Sequence, residues 1–188
     1  MMAQEKTRRR DSEATAAAIV AAAAELFSQR GYDGASTREI ADRAGVNVAL
    51  ISRYFGSKEG LFEASILPML SINRLLSHDM ATFGTRIAGY YFDALPEKTA
   101  DPILAVIRSS GNEAVRAKVR DRLRERFVNA IAEKLDGADA KTRAVMIVMV
   151  LSGVDLMVRV LGVVPEHDSE RAALKERLAE DIQKLVNG

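Results

Sequence analysis

Apolar and polar positions alternate along this chain with a helical period, and small residues interrupt them at short intervals. Between Ser12 and Arg30, Ile19, Ala23, Leu26 and Phe27 fall on one helical face. Gly31 then supplies a stop. In "GASTREIADRAG", Ser36 and Glu39 have the spacing of a capping box, and Ile40, Ala41 and Ala44 make a short apolar face that ends at Gly45. Asn47 precedes a third run with Val48, Leu50, Ile51, Tyr54 and Phe55, closed by Gly56. Ser57 is placed to cap a fourth helix that begins "SKEGLF".

Beyond Phe62 the predicted helices lengthen. They cover Met69–Ser77, Thr82–Leu95, a segment opened by Asp101-Pro102, Glu113–Leu135, Lys141–Leu161 and Ser169–Val186. No strand pattern competes, so the expected fold is all-α. The expected division is a helix-turn-helix domain over 1–61 and a helical domain over 62–188. The pair Thr37–Ala44 and Val48–Phe55 is joined by a tight turn at Gly45. Helices of about two turns bury little surface on their own. They make sense where a further surface, such as a DNA groove, must fit against them.

Composition narrows the function classes. The chain has 188 residues, 48% of them hydrophobic but only 5% aromatic, with no Trp and four Pro. Cys is absent, which removes disulfides, thiolate catalysis and Cys-based zinc sites. Net charge is +1, so a nucleic-acid surface has to come from local placement of charge. Ala14–Ala24 after Lys6, Arg8, Arg9 and Arg10 imitates a signal peptide, but Asp11 and Glu13 interrupt the junction. Ala144–Val164 imitates a membrane span, but Asp155 and Arg159 interrupt it one helical turn apart, where they can pair. The reading is a cytoplasmic protein that does not enter a membrane. His78 and His167 are the only His. His78 beside Asp79 is too little for a metal or an enzymatic centre, so no catalytic residue, metal or cofactor is expected.

"TREIADRAGVNVALISRYFGSKEGLF" resembles the DNA-binding domain of TetR-type transcriptional regulators. Thr37, Ile40-Ala41, Ala44-Gly45-Val46, Tyr54-Phe55 and Ser57-Lys58-Glu59 with Leu61 stand at that family's spacing, and the likeness runs over Ile19–Phe62. It implies that Asn47–Phe55 is a recognition helix, with Asn47, Val48, Ala49 and Leu50 toward base edges in the major groove. Asn47 either bonds a base or caps its helix. Val48, Ala49 and Leu50 can read only apolar features such as the thymine methyl, so DNA shape carries part of any specificity. The resemblance assigns phosphate contacts to Thr37, Arg38 and Lys58 at helix starts, and to Ser52, Arg53 and Tyr54 late in the recognition helix. Ser52 stands where the family commonly has a Tyr, and Arg53 is the residue able to replace that contact. The basic arm Lys6–Arg10 either enters the minor groove or is a solvated tail.

The same resemblance implies a homodimer on a palindromic double-stranded operator, formed by the last two helices, and a small-molecule effector that releases a repressor. Ala144–Val164 is apolar nearly all round, which suits either a dimer face or a wholly internal helix. Phe83, Tyr90, Tyr91, Met146 and Met149 are the candidate pocket residues, with ordinary core as the alternative. A regulator of the same shape controlled by a protein partner is the second reading.

Overall fold

The computed structural model describes residues 2–93 and 100–188, with side chains from Arg10 onward. Every regular element among them is helical. The described residues form two compact units, 2–69 with 100–119, and 70–93 with 120–188. Residues 100–119 thus join the unit of the helix-turn-helix, beyond the 61/62 boundary expected from sequence. The end of the predicted helix over Thr82–Leu95 lies outside the described residues.

The first unit is built on α1 (Met2–Gly34), which breaks at Gly31 with φ 71°. The helix begins well before Ser12, because Gln4 to Arg10 hold neither Gly nor Pro and, Thr7 apart, are good helix formers. Ile19, Ala23, Leu26 and Phe27 are buried on its inner face. α2 (Thr37–Ala44), α3 (Ala49–Phe55) and α4 (Lys58–Ser65) follow, and α1 packs against both α2 and α4. Phe27 and Phe62 meet edge-on at 5.1 Å between centroids, and Ile40, Ile51 and Leu61 complete the core.

α7 (Pro102–Ser109) lies along α1. Asp101 caps it and Pro102 occupies its first turn, as expected from sequence. The seam is polar and buried: Ser28 Oγ bonds both the backbone N–H of Asp101 at 2.8 Å and its carbonyl at 2.9 Å. Tyr32 N–H donates to Ser109 Oγ at 2.8 Å, and Arg108 donates to the Ser28 carbonyl. A Cβ at Gly31 would stand 2.6 Å from the Arg108 carbonyl oxygen, so the close approach requires glycine.

In the second unit, α6 (Phe83–Phe92) and α11 (Asp168–Asn187) run antiparallel. Gly84 N–H donates to Gln183 Oε1 at 3.0 Å near one end, and Lys175 pairs with Asp93 near the other. A Cβ at Gly84 would stand 2.1 Å from the Ala179 carbonyl oxygen. α5 is a single turn, Asn73–Leu76, in place of the predicted Met69–Ser77 helix. α8 (Glu113–Leu123), whose residues 113–119 belong to the first unit, continues through the π-helical stretch Arg124–Asn129 into α9 (Ala130–Ala132). α10 (Ala140–Val154) likewise continues through π-helical Asp155–Val160. Phe83, Ile87, Ile131, Ile147, Leu151 and Ile182 form the core. Arg143 is buried and donates to the carbonyls of Leu185 at 3.0 Å and Val186 at 2.9 Å, closing the end of α11 with a cation.

Candidate nucleic-acid interface

Each helix of the N-terminal group is started and stopped by local chemistry. Ser36 Oγ accepts from Glu39 N–H at 3.1 Å, while Ser36 N–H donates to Glu39 Oε2 at 3.0 Å. The Ser36 side-chain and backbone bonds, followed by Arg30 at 2.7 Å, hold the Glu39 carboxyl at about 2. Gly45 takes the left-handed conformation with φ 68°, and its N–H caps α2 on Ala41 and Asp42 carbonyls. Asn47 acts as the cap: its Oδ1 accepts from Ala49 N–H at 2.9 Å. Gly56, φ 76°, ends α3, and Ser57 Oγ accepts from Gly60 N–H at 3.1 Å. A Cβ at Gly60 would stand 2.1 Å from the Phe55 carbonyl oxygen, so the first turn of α4 lies tight against the end of α3.

Ser36→Ala is expected to cost about 1 kcal/mol by loss of the cap. Its pH dependence follows from the depressed Glu39 carboxyl. That group contributes stability above its ordinary value of 4.5, and the contribution is lost as pH falls through about 2. Thermal melting of both proteins across that window should therefore show their difference shrinking toward acid pH. A difference independent of pH would contradict the coupling.

Asn47, Val48 and Ala49 at the start of α3 are exposed, with Val48 at 40%, and Leu50 is half-buried. An exposed Val and Ala at the head of a short helix have no core to serve. Arg38, Ser52 and Arg53 are exposed, and Thr37 is half-buried at the first position of α2. Arg43 pairs with Glu25 instead of facing outward unpaired. Tyr54 is half-buried and its hydroxyl meets Ser12 Oγ at 2.9 Å, which ties α3 to α1. Lys58 opens α4, with its Nζ 4.4 Å from the centroid of the Tyr32 ring. Lys6, Arg8 and Arg9 of the basic arm have side chains outside the described residues.

Two residues carry no signal of their contacts in the sequence: Ser12 opens the predicted first helix and only the fold brings it to Tyr54, and Tyr32 stands at no periodic position.

The residues offered as a pocket divide. Phe83 and Tyr91 are buried in the core of the second unit, and Tyr90 meets Tyr91 edge-on at 5.3 Å. Met146 and Met149 lie on the outer face of α10, at 47% and 67% exposure, and do not join them. Asp79 caps the turn at Met80–Thr82, which accounts for a carboxylate beside His78. Among the described residues, no group of His, Cys, Asp and Glu could hold a metal, and no helix is long and apolar enough to cross a membrane.

Comparison with known proteins agrees with this geometry. Residues 19–65 match the family model of bacterial regulatory proteins, tetR family, and residues 81–186 match the model of the tetracyclin repressor-like C-terminal domain. Over 128 residues the chain is 34% identical to an HTH-type transcriptional repressor of Mycobacterium tuberculosis, covering 66% of this chain and 58% of that protein. It is 56% identical over 45 residues to a probable HTH-type transcriptional regulator of Bacillus subtilis, covering 24% of this chain and 22% of that protein. The matches to these curated relatives thus span 22% to 58% of their lengths. The crystal structure of NalD, the secondary repressor of a multidrug efflux pump in Pseudomonas aeruginosa, has a TM-score of 0.68 at 18% identity and covers 94% of this chain and 98% of that one. A TetR-family regulator structure from Streptomyces coelicolor has a TM-score of 0.56 at 27% identity, covering 93% and 95%.

Proposed function

Because this chain belongs to the TetR family of bacterial regulatory proteins, we propose that it is a cytoplasmic, homodimeric repressor that a small-molecule effector releases from a palindromic operator. The observation that carries the DNA reading is the exposed head of α3, apolar and unsuited to solvent, between helix starts that bear Arg38 and Lys58. Val48 and Ala49 meet thymine methyls in the major groove, and the Asn47 carboxamide N–H groups reach a base edge while its oxygen caps the helix. Thr37, Arg38 and Lys58 hold phosphates, with help from the first N–H groups of α2 and α4. Ser52 and Arg53 contact the backbone on one side of the groove, and Tyr54 steadies α3 through Ser12.

The homodimer reading rests on the outer face of α10 and its π-helical continuation. Met146, Met149, Val150, Leu156, Met157 and Leu161 are all exposed there, an apolar stripe that a second copy would cover. Two recognition helices would then meet successive half-sites about one DNA turn apart. Effector control is a population shift between dimer states with different spacing of the recognition helices. The repressor assignment draws on the Mycobacterium relative, which bears that description.

The test is a titration of the purified protein with the duplex flanking its own gene, at two salt concentrations, against random competitor. The expected result is specific binding that weakens steeply with salt. Arg38→Ala and Lys58→Ala together should lower affinity at least about tenfold and flatten the salt slope by about two phosphate contacts. If a random-sequence selection also enriches no palindrome, the operator reading falls.

A further inference from the structure

Tyr32 belongs to none of the DNA-facing residues described above, yet it touches two consecutive residues of the first turn of α4. Its ring is 5% exposed and packs between Phe27 at 5.9 Å and Phe62 at 5.8 Å. One face of the ring carries the Lys58 ammonium, 4.4 Å from the centroid. The Glu59 carboxyl is held at about 2, first of all by its interaction with the Tyr32 hydroxyl. Its backbone N–H is fixed in turn by Ser109 Oγ at 2.8 Å. The ring is therefore held by its two aromatic neighbours, and the backbone behind it by Ser109, before it meets Lys58.

We propose that Tyr32 is a positioning residue for DNA binding, whose ring holds the Lys58 ammonium in place for its phosphate contact. The inference rests on the reading of Lys58 as a phosphate contact given under Proposed function. A lysine stem has several rotatable bonds, and ordering them on binding costs free energy. A ring that already orders the ammonium removes part of that cost from the DNA-binding step. The ammonium has three N–H donors, so a ring on one side leaves donors for a phosphate on the other.

The experiment weakens the ring's negative face without changing its shape. Tyr32→Phe serves as the reference, and phenylalanines carrying one, two and three fluorines are placed at position 32. Affinity for the operator duplex is read at fixed salt in the Lys58 protein and again with Lys58→Ala, with thermal melting as the check on folding. The expected result is a stepwise loss with fluorination, reaching roughly two- to five-fold, that vanishes in the Lys58→Ala background. Equal losses in both backgrounds would mean that the ring acts by packing alone, and would overturn the proposal. A flat series in the Lys58 protein would overturn it as well, provided Lys58→Ala itself weakens binding. If Lys58→Ala changes neither affinity nor salt slope, the phosphate reading of Lys58 fails first, and the positioning role falls with it.

Discussion

In the homodimer proposed above, Met149→Asp should turn the dimer into a monomer at micromolar concentration and lower operator affinity by at least about a hundredfold. Met149 is 67% exposed and stands in the middle of the apolar stripe on α10, with Leu161 at 59% further along. A carboxylate there has no partner to meet when a second copy covers the stripe, and its desolvation opposes association. The same carboxylate in the monomer stays in water, so folding loses little. Helicity and melting temperature should be nearly unchanged while sedimentation velocity reports half the mass. The loss of DNA binding follows because one recognition helix reaches one half-site, and the second half-site contributes only when both are linked. A Met149→Asp, Leu161→Asp protein that still sediments as a dimer would remove this face from the interface.

Local signals made much of the N-terminal group readable from sequence, and non-local contacts decided most of what was not. The ends of α2 to α4 were legible because Ser36 with Glu39, Gly45, Gly56 and Ser57 satisfy backbone groups within a few residues. The Asp101-Pro102 start of α7 was legible for the same reason. The Asp155–Arg159 pair was legible from helical spacing alone, and the structure makes it at 2.8 Å. The company that α7 keeps was not legible. Its buried partners Ser28 and Tyr32 lie over seventy residues away, and no periodicity in the chain connects them. Met146 and Met149 show another limit. A helix apolar on every side does not announce which side faces the core, and here Ala144, Ile147 and Leu151 turn inward. Tyr32 illustrates a third limit, because its importance lies in where its ring and hydroxyl end up and not in its type.

Asp155→Ala should cost the second unit about 3–5 kcal/mol, with a drop in melting temperature on the order of 10 °C. Asp155 and Arg159 have side chains only 7% exposed, and the Tyr91 hydroxyl donates to Asp155 Oδ2 at 2.9 Å. Burial, then the charge and hydrogen bond of Asp155, keep Tyr91 protonated far above the usual range for a phenol. Removing the carboxylate takes away an acceptor from the phenol and a counter-charge from a buried guanidinium in one step. Replacing the three polar partners together, with Asp155→Leu, Arg159→Met and Tyr91→Phe, should restore most of the loss, because the desolvation of the pair disappears with the pair and no hydroxyl is left without an acceptor. The two variants separate stability from register. Asp155 opens the π-helical stretch, where the chain turns a carboxylate inward while Leu156 and Met157 stay exposed beside it. If the ion pair fixes that register, the triple variant will melt near the parent temperature and yet dimerise more weakly. If dimer affinity is also restored, apolar packing alone holds the stripe in place, and the buried pair contributes nothing that two hydrophobic side chains cannot.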